Sequence, residues 1–231
     1  MKVSLKREDS KEGDDVMNIV LLGPPGAGKG TQAKNISKKF NIPHISTGDM
    51  LREAISSNSE LGKKVANIVG RGDLVPDDLM IKLVKERISR EDASDGFILD
   101  GFPRTTVQAE SLRYMLKEMG DKINIAIFID VGEEEVVKRI SSRRVCPNCG
   151  KVYNLLSLKP KNDNICDECG SELVQRDDDK PETVRDRYEV YIKNTKSVIE
   201  FYKSQGKLKT FDGSKDIDKL ARSIIDYLES L

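Results

Sequence analysis

The stretch Gly23-Pro-Pro-Gly-Ala-Gly-Lys-Gly-Thr31 joins an apolar run, Asn18 to Leu22, to a segment of helical pattern, Lys29 to Phe40. Glycines let backbone N–H groups turn inward around an anion, and the first turn of the following helix adds a partial positive charge. A glycine-rich turn that binds nothing is the alternative. The order of strand, loop, lysine and helix favours a phosphate-binding loop over that alternative.

The end of this loop departs from the strict G-x-x-x-x-G-K-[ST] pattern. Lys29 is placed to reach the outer phosphates of a nucleotide, but Gly30 stands where a hydroxyl residue is expected and Thr31 follows one position later. Direct contact between a hydroxyl and a metal ion is therefore less firmly expected than phosphate binding.

Composition excludes several classes of protein. The 231 residues are 37% hydrophobic and 34% charged, and 39 basic residues balance 39 acidic ones, so no net charge attracts nucleic acid or anionic lipid. No apolar run is long enough for a membrane span or a secretory signal, which predicts a cytoplasmic protein. Residues 1–16 mix both charges with few apolar positions and are expected to form a flexible arm.

Short apolar runs alternate with helical patterns along the rest of the chain, which predicts an α/β fold. We expect a five-stranded parallel sheet with helices on both faces. The expected strands are Asn18 to Leu22, His44 to Ser46, Gly96 to Leu99, Asn124 to Ile129 and Leu208 to Phe211. The expected helices are Lys29 to Phe40, Asp49 to Asn58, Asp77 to Arg90, Thr105 to Met119, Glu133 to Arg143, Glu182 to Ser204 and a last one with an apolar stripe from Ile217 to Leu231.

The stretch from about Val145 to Asp179 interrupts this alternation and carries all four cysteines. Cys146 and Cys149 form one C-x2-C pair and Cys166 and Cys169 another, separated by 16 residues. Four thiolates at this spacing predict a closed, structural Zn²⁺ site, which iron could also occupy. Two disulfides, or a ribbon that binds nucleic acid, are the alternatives. A reducing compartment and the acidic residues nearby disfavour them.

A second group of polar residues follows strand ends or lies between helices, where open parallel sheets bind ligands. It comprises Asp49, Arg52, Asp100 and Arg104, in the segments STGDMLR and DGFPR. Two carboxylates can orient the water shell of Mg²⁺, and two guanidinium groups can grip a second phosphate. In isolation, each arginine would more often be a surface charge.

With GPPGAGKGT, STGDMLR, DGFPRT, the arginines around RRV and the cysteine-bearing insertion, the sequence from Met17 onward closely resembles the adenylate kinases. The resemblance implies transfer of the terminal phosphoryl group of ATP to AMP, giving two ADP, by a monomer that uses Mg²⁺. It also implies a P-loop core of residues 17–45, 76–141 and 180–231, a mobile AMP-binding segment of residues 46–75 and a lid of residues 142–179.

The resemblance also implies roles for individual positions. The expected ATP contacts are Gly26, Ala27, Gly28, Lys29, Gly30, Thr31, Arg143, Val152, Tyr153 and Lys215. The expected AMP contacts are Thr47, Arg52, Asp73, Leu74, Val75, Gly101, Phe102, Pro103, Arg104, Gln108, Arg176 and Arg187. The residues expected to stabilise the transferring phosphoryl group are Lys29, Arg104, Arg139, Arg143, Arg176 and Arg187.

Two rival functions stay open at this point. A kinase of another nucleoside monophosphate would keep every motif, although Thr47 and Gln108 resemble AMP contacts. A zinc-ribbon protein that binds nucleic acid and uses ATP as a switch is disfavoured by the balanced charge and the lack of a basic-aromatic stripe. The single histidine, His44, has no partner at metal-ligand spacing and is expected to be structural.

Overall fold

The computed structural model describes residues 16–231, so residues 1–15 of the expected N-terminal arm lie outside the described part. The strands are β1 (Met17–Leu22), β2 (His44–Ser46), β3 (Gly96–Asp100), β4 (Ile125–Asp130), β5 (Arg143–Val145), β6 (Val152–Asn154) and β7 (Leu208–Asp212). Five of them form one sheet in the order β2-β3-β1-β4-β7, and every neighbouring pair is parallel. The predicted five-stranded parallel sheet is confirmed.

Eight α-helices accompany the strands in residues 16–231. They are α1 (Lys29–Phe40), α2 (Thr47–Ser56), α3 (Glu60–Arg71), α4 (Asp77–Ile88), α5 (Thr106–Glu118), α6 (Glu133–Ser141), α7 (Pro181–Ser204) and α8 (Ile217–Leu228). Seven of them correspond to predicted helices, with ends that differ by a few residues. The predicted helix from Glu133 to Arg143 runs too far, because Arg143 begins strand β5 instead of ending α6.

The sequence reasoning missed helix α3. Its sequence signals were present, namely a serine before the helix and a glycine after it. In the structure the Ser59 hydroxyl accepts a hydrogen bond from the Gly62 N–H as an N-cap, and Gly72 ends the helix at φ 79°. Leu61, Val65 and Ile68 also recur at helical spacing. Residues 72–75, which follow the helix, line one cavity together with Gly101, which follows strand β3.

The central strands are buried on both faces, so their side chains alternate between two cores. In β1, Val20 and Leu22 belong to one core, while Ile19 and Leu21 belong to the other. The first core is closed mainly by α2, α3, α4, α5 and α7, and the second mainly by α1, α6 and α8. This arrangement confirms helices on both faces and leaves the carboxyl ends of the strands as the open edge.

The cysteine-bearing segment forms a separate small layer. Strands β5 and β6 pair antiparallel. The segment around them has a core of only four residues, Cys146, Tyr153, Cys166 and Leu173. Among the helices of residues 16–231, none combines the length and the apolar character that crossing a membrane requires.

Candidate functional site

The loop between β1 and α1 owes its shape to backbone conformations that favour glycine. Gly26 has φ 76°, and a Cβ atom there would lie 2.6 Å from Ile140 Cγ1. Gly28 has φ 91° and precedes the first turn of α1 as its N-cap. The loop therefore presents backbone N–H groups at a helix N-terminus, an arrangement suited to a phosphate.

Lys29 lies across the mouth of this loop. Its ammonium group donates to the Gly23 carbonyl at 2.8 Å and to the Pro24 carbonyl at 2.9 Å. Burial lowers the pKa of Lys29 to about 8; Asp100 opposes this effect, and the charges of Arg104 and Arg187 add to it. An anion in the loop would relieve this repulsion and favour the charged lysine.

Asp100 ends strand β3 beside the start of α1. Its Oδ2 atom lies 3.4 Å from His44 Nε2, and it would lie 3.5 Å from a Cβ atom at Gly30. Burial alone would raise the pKa of Asp100, but the neighbouring His44 and the charge of Lys29 hold it below its usual value. The carboxylate is therefore ionised next to the phosphate loop, where it can orient water around a cation.

Two arginines are paired with consecutive carboxylates. Asp179 is fully buried and accepts two hydrogen bonds from Arg143, one of them from Nε at 2.8 Å. Asp178 accepts from Arg187 Nη1 at 2.7 Å. The two hydrogen bonds to Asp179 fix the orientation of the Arg143 guanidinium group, as bidentate pairing does in general. Burial opposes the charge on Arg143, but Asp179 raises the pKa of Arg143 above its usual value.

Other arginines of the site crowd one another. Burial and the charges of Arg187 and Arg52 lower the pKa of Arg104 to about 10, despite the opposing charge of Asp100. Burial and the charges of Arg52 and Arg143 lower the pKa of Arg176 to about 10 as well. Both stay protonated at pH 7, so the cleft carries positive charge that an anionic ligand would neutralise.

One cleft of about 870 Å³ opens at the carboxyl ends of the strands and receives most of the predicted site. The predicted residues that line it are Gly26, Ala27, Gly28, Lys29, Gly30, Thr31, Asp49, Arg52, Leu74, Asp100, Gly101, Pro103, Arg104, Arg139, Arg143, Val152, Tyr153, Arg176, Arg187 and Lys215. Residues far apart in sequence, from three parts of the fold, thus meet around one space.

A second cavity adjoins the first. Its predicted lining residues are Thr47, Arg52, Asp73, Leu74, Val75, Gly101, Arg104, Gln108 and Arg187. Three arginines, Arg52, Arg104 and Arg187, line both cavities. Charged groups that are shared in this way can contact an anion in either cavity.

Three predicted residues have surroundings that the sequence reasoning did not anticipate. The Phe102 side chain is 1% exposed and packs in the core, next to the cis peptide bond that joins it to Pro103. The Tyr153 side chain lies in the small core of the cysteine segment. Asp49 is paired with Arg52 at 2.5 Å and lies 3.9 Å from Arg176. Phe102 lines neither cavity, so the expected AMP contact at this position stays a prediction.

The four cysteine sulfurs form one cluster. All four Sγ atoms lie within 4.8 Å of one another, with Cys146 and Cys169 at 3.3 Å and Cys149 and Cys166 at 3.5 Å. All four cysteines are free, so the disulfide alternative finds no support. Thiolates about 2.3 Å from a tetrahedral zinc ion are about 3.8 Å apart, so the cluster fits a metal of this size.

The sequence reasoning missed several residues that line the cavities or pair with the arginines of the site. Leu156, Ser157 and Leu158 follow strand β6 and line the large cleft, although nothing in their types indicated a site. Asp178 and Asp179 had a signal, because an acidic run directly after Arg176 is a candidate partner for buried arginines. The sequence reasoning used that run only as an argument against nucleic-acid binding.

Comparison with known proteins gives one family. A family model described as Adenylate kinase matches residues 21–207. An adenylate kinase of Kosmotoga olearia is 60% identical over 215 residues, which cover 93% of this chain and 100% of that protein. Adenylate kinases of Archaeoglobus fulgidus and Staphylococcus epidermidis are 57% and 53% identical, over 93% of this chain and at least 99% of each relative. The chain belongs to the adenylate kinase family.

The expectation drawn from the motifs is thus confirmed for the family. The matched residues include the phosphate loop, the smaller cavity and the cysteine segment, but the large cleft extends beyond them to Lys215 and its neighbours. The rival zinc-ribbon class is set aside, because the whole arrangement of loop, sheet and insertion is that of the adenylate kinase fold.

Proposed function

We propose that this chain catalyses the reversible transfer of the terminal phosphoryl group of ATP to AMP, which gives two molecules of ADP. The single observation that carries the proposal is the pair of adjoining cavities with Arg52, Arg104 and Arg187 in the lining of both. A donor phosphate in the larger cleft and an acceptor phosphate in the smaller one would meet at these side chains. Such convergence is what in-line phosphoryl transfer requires.

The acceptor needs no general base, because the second ionisation of a phosphate, near pH 6, leaves a nucleophilic oxygen at neutral pH. The enzyme's work is then to hold donor and acceptor in line and to neutralise charge on the transferring group. The proposed residues for this work are Lys29, Arg104, Arg139, Arg143, Arg176 and Arg187. Arg139 is held by Glu135 at 2.7 Å and by the Gly213 carbonyl at 2.8 Å.

The two nucleotides would use different parts of the chain. For ATP we propose the phosphate loop at residues 26–31, with Arg143, Val152, Tyr153 and Lys215. For AMP we propose Thr47, Arg52, residues 73–75, residues 101–104, Gln108, Arg176 and Arg187. We further propose that residues 46–75 and 142–179 close over the nucleotides as an AMP-binding segment and a lid on the remaining core, because closure would exclude water that could otherwise hydrolyse ATP.

Adenylate kinases use ATP with Mg²⁺, and the residues present fit this requirement. Asp100 is an ionised carboxylate at the phosphate loop, and we propose that it orients the water shell of the ion. Asp49 is the second proposed member, although its carboxylate is paired with Arg52 here. When bound, Mg²⁺ neutralises phosphate charge. Asp100 itself would hold water by accepting hydrogen bonds.

For the cysteine cluster we propose one structural Zn²⁺ ion held by Cys146, Cys149, Cys166 and Cys169. The clustering of four thiols in a segment whose core has only four residues supports this proposal. Four thiolates leave no open coordination position, so the ion would stabilise the lid and take no part in the chemistry.

One preparation of the protein tests the proposed reaction and the proposed zinc site. ADP formation is measured from ATP with AMP, UMP, CMP and GMP as acceptors, and the metal content of the same protein is determined by elemental analysis. We expect the highest rate with AMP and one zinc ion per chain. A higher rate with another acceptor would replace AMP, and no ADP from any acceptor would refute the kinase proposal. Reduced cysteines without stoichiometric metal would refute the zinc proposal.

We further propose that the chain is a monomer in the cytoplasm. Its support is the resemblance and the lack, among the described residues, of a helix suited to a membrane. Sedimentation of the purified chain tests the oligomeric state, and a dimer at low micromolar concentration would contradict it.

A further inference from the structure

The side chain of Gln108 is held in one orientation by two neighbours. Gln108 is 2% exposed and lines the smaller cavity. Its Oε1 atom accepts a hydrogen bond from the Arg104 backbone N–H at 2.7 Å. Its Nε2 atom donates to Asp77 Oδ1, also at 2.7 Å. Asp77 lies in the first turn of helix α4 and belongs to no motif that the sequence reasoning used.

Each of these neighbours is compatible with only one orientation of the Gln108 amide. A backbone N–H can only donate, so it requires the oxygen of Gln108, and an ionised carboxylate can only accept, so it requires the nitrogen. Rotating the amide by 180° would bring Oε1 against the Asp77 carboxylate and Nε2 against the Arg104 N–H. Both hydrogen bonds would be lost and replaced by repulsive contacts, so the amide is locked.

Asp77 is itself immobilised. Its other oxygen, Oδ2, accepts from the Thr105 hydroxyl at 3.0 Å. The same hydroxyl accepts from the Gln108 backbone N–H at 3.2 Å and caps helix α5. The carboxylate therefore connects the first turn of α4 to the first turn of α5. Its position is set by the packing of two helices and does not depend on a ligand.

The locked amide keeps one donor and one acceptor for a ligand. Nε2 carries two hydrogens and Oε1 two lone pairs, so one of each is free after the bonds to Asp77 and Arg104. A 6-aminopurine presents the complementary pair, because its ring N1 accepts and its 6-amino group donates. A 6-oxopurine presents the reverse pair, since its N1–H donates and its O6 accepts, and it would require the rotated amide.

We propose that Asp77 is a specificity-determining positioning residue, which holds Gln108 so that the acceptor cavity takes a 6-aminopurine nucleotide and rejects a 6-oxopurine nucleotide. The inference rests on the proposed function, since it takes AMP as the acceptor in this cavity. A site of buried, oriented polar groups discriminates strongly, because the wrong ligand leaves those groups unpaired. Asp77 acts through Gln108 and need not touch the nucleotide.

The test compares AMP with IMP, which differs from AMP only in its 6-oxo group and in the hydrogen on N1. We measure kcat and KM for both acceptors with saturating ATP in the wild type, Asp77→Ala, Asp77→Asn and Asp78→Ala. Asp78 is the matched control, because it adds the same charge to the same first turn of α4 but is exposed. If IMP is not turned over, the ratio of its inhibition constant to the KM for AMP is compared between the variants instead.

We expect Asp77→Ala to lower the AMP-to-IMP ratio of kcat/KM by about tenfold to hundredfold, the size of one hydrogen bond to a charged group. Asp77→Asn should lower it less, because the asparagine oxygen can still accept from Gln108. Asp78→Ala should leave the ratio within about twofold, as expected for an exposed substitution. If Asp77→Ala does not fold, Asp77→Leu, which has nearly the same shape but cannot accept a hydrogen bond, decides, and a ratio like that of the wild type then overturns the inference.

Two further outcomes separate this inference from the proposed function. A wild type that forms no ADP from AMP refutes the proposed function, and the inference falls with it. A wild type that is active with AMP, combined with an Asp77→Ala variant that loses both acceptors in equal proportion, refutes the inference alone. That second result would assign Asp77 to helix packing only.

Discussion

The phosphate loop and the cysteine cluster are both proposed ligand sites, but they are built on cores of very different size. Ala27 of the loop belongs to the large core that includes Val136 and Ile140. Cys146 and Cys166 belong to a core that has only two other members. The loop is shaped by backbone conformation and surrounding packing, whereas the cluster is held together by few apolar contacts.

This contrast shows how one chain can contain two kinds of site. A large buried core supplies enough hydrophobic free energy to keep the loop in shape when no nucleotide is bound. A core of four residues does not supply enough, so we expect the fold of the cysteine segment to depend on the proposed metal. Damage to the first site should therefore cost activity, and damage to the second should cost local stability.

The largest expected effect is the loss of activity in Lys29→Met. Removing the ammonium group takes away a charge at the donor phosphates, and we expect kcat/KM for ADP formation to fall by about a thousandfold or more, as for other preorganised charged groups. The ligand-free variant should not unfold at a lower temperature than the wild type, because burial disfavours the charged lysine in the folded chain. Steady-state kinetics and calorimetry of the same samples check both statements.

Lys38→Met is the control, because Lys38 lies exposed on the same helix α1 and does not line the cleft. We expect nearly full activity from it. If the two variants lose similar activity, Lys29 has no special role at the phosphates and the first half of the comparison breaks.

The second effect is the loss of the metal in Cys146→Ser. A buried thiolate ligand is replaced by a weaker hydroxyl, and metal binding supplies about 10–16 kcal/mol in small zinc domains, so the cysteine segment should unfold locally. We expect zinc to be lost on dialysis and proteases to cut within residues 142–179 while the sheet stays intact. Elemental analysis and mass spectrometry of the fragments measure this.

Asn162→Ser, an exposed substitution in the same segment, should keep the metal and resist cutting. Activity of Cys146→Ser below the temperature of local unfolding should fall far less than in Lys29→Met. Should the whole chain unfold in one transition without metal, the two regions are not independent and the comparison fails.

The third effect is a pH dependence that arises from Lys29. Its pKa is about 8 in the folded chain and 10.5 as a free side chain, so between these values the unfolded chain binds more protons. Stability contributed by Lys29 therefore rises with pH across this window, by about 3 kcal/mol in total. Urea unfolding of ligand-free wild type and Lys29→Met at several pH values isolates this contribution.

The free energy of unfolding of the wild type, relative to that of Lys29→Met, should rise between pH 8 and 10.5 and stay flat below pH 7. Saturating ATP should move the window upward, because phosphates favour the charged lysine. Parallel curves for the two proteins across the whole range would mean that burial does not lower the pKa of Lys29.

The sheet and the phosphate loop could be predicted because their signals are local. An apolar run such as Asn18 to Leu22, followed by closely spaced glycines and a lysine, determines strand, turn and helix within a few residues. The cysteine cluster was equally accessible, since the spacing of C-x2-C pairs is itself a geometric signal. Both depend little on the rest of the chain.

The features that could not be predicted depend on pairing between distant residues. The bonds of Asp77 to Thr105 and Gln108 join residues 28 and 31 positions apart, and those of Arg143 to Asp179 join residues 36 apart. Aspartate at a helix start is ordinarily read as a favourable helix-terminal charge, so its second role appears only when the helices pack. Long-range polar partners have no periodic pattern that a single sequence could reveal.

The smallest effect concerns the Tyr153 hydroxyl inside the cysteine segment. It donates to Cys166 Sγ at 3.6 Å and accepts from the Asp167 backbone N–H at 2.7 Å. Tyr153→Phe keeps the ring in the small core but removes both hydrogen bonds, so we expect this segment to lose about 1–2 kcal/mol of stability. Hydrogen exchange of residues 142–179 measures the loss, with exposed Tyr114→Phe as the control.

Because the core of the cysteine segment is so small, the effect of removing one hydroxyl should be measurable there, while unfolding of the main sheet should not change. Equal protection in both variants would show that the thiolates and their metal hold the segment without help from its core.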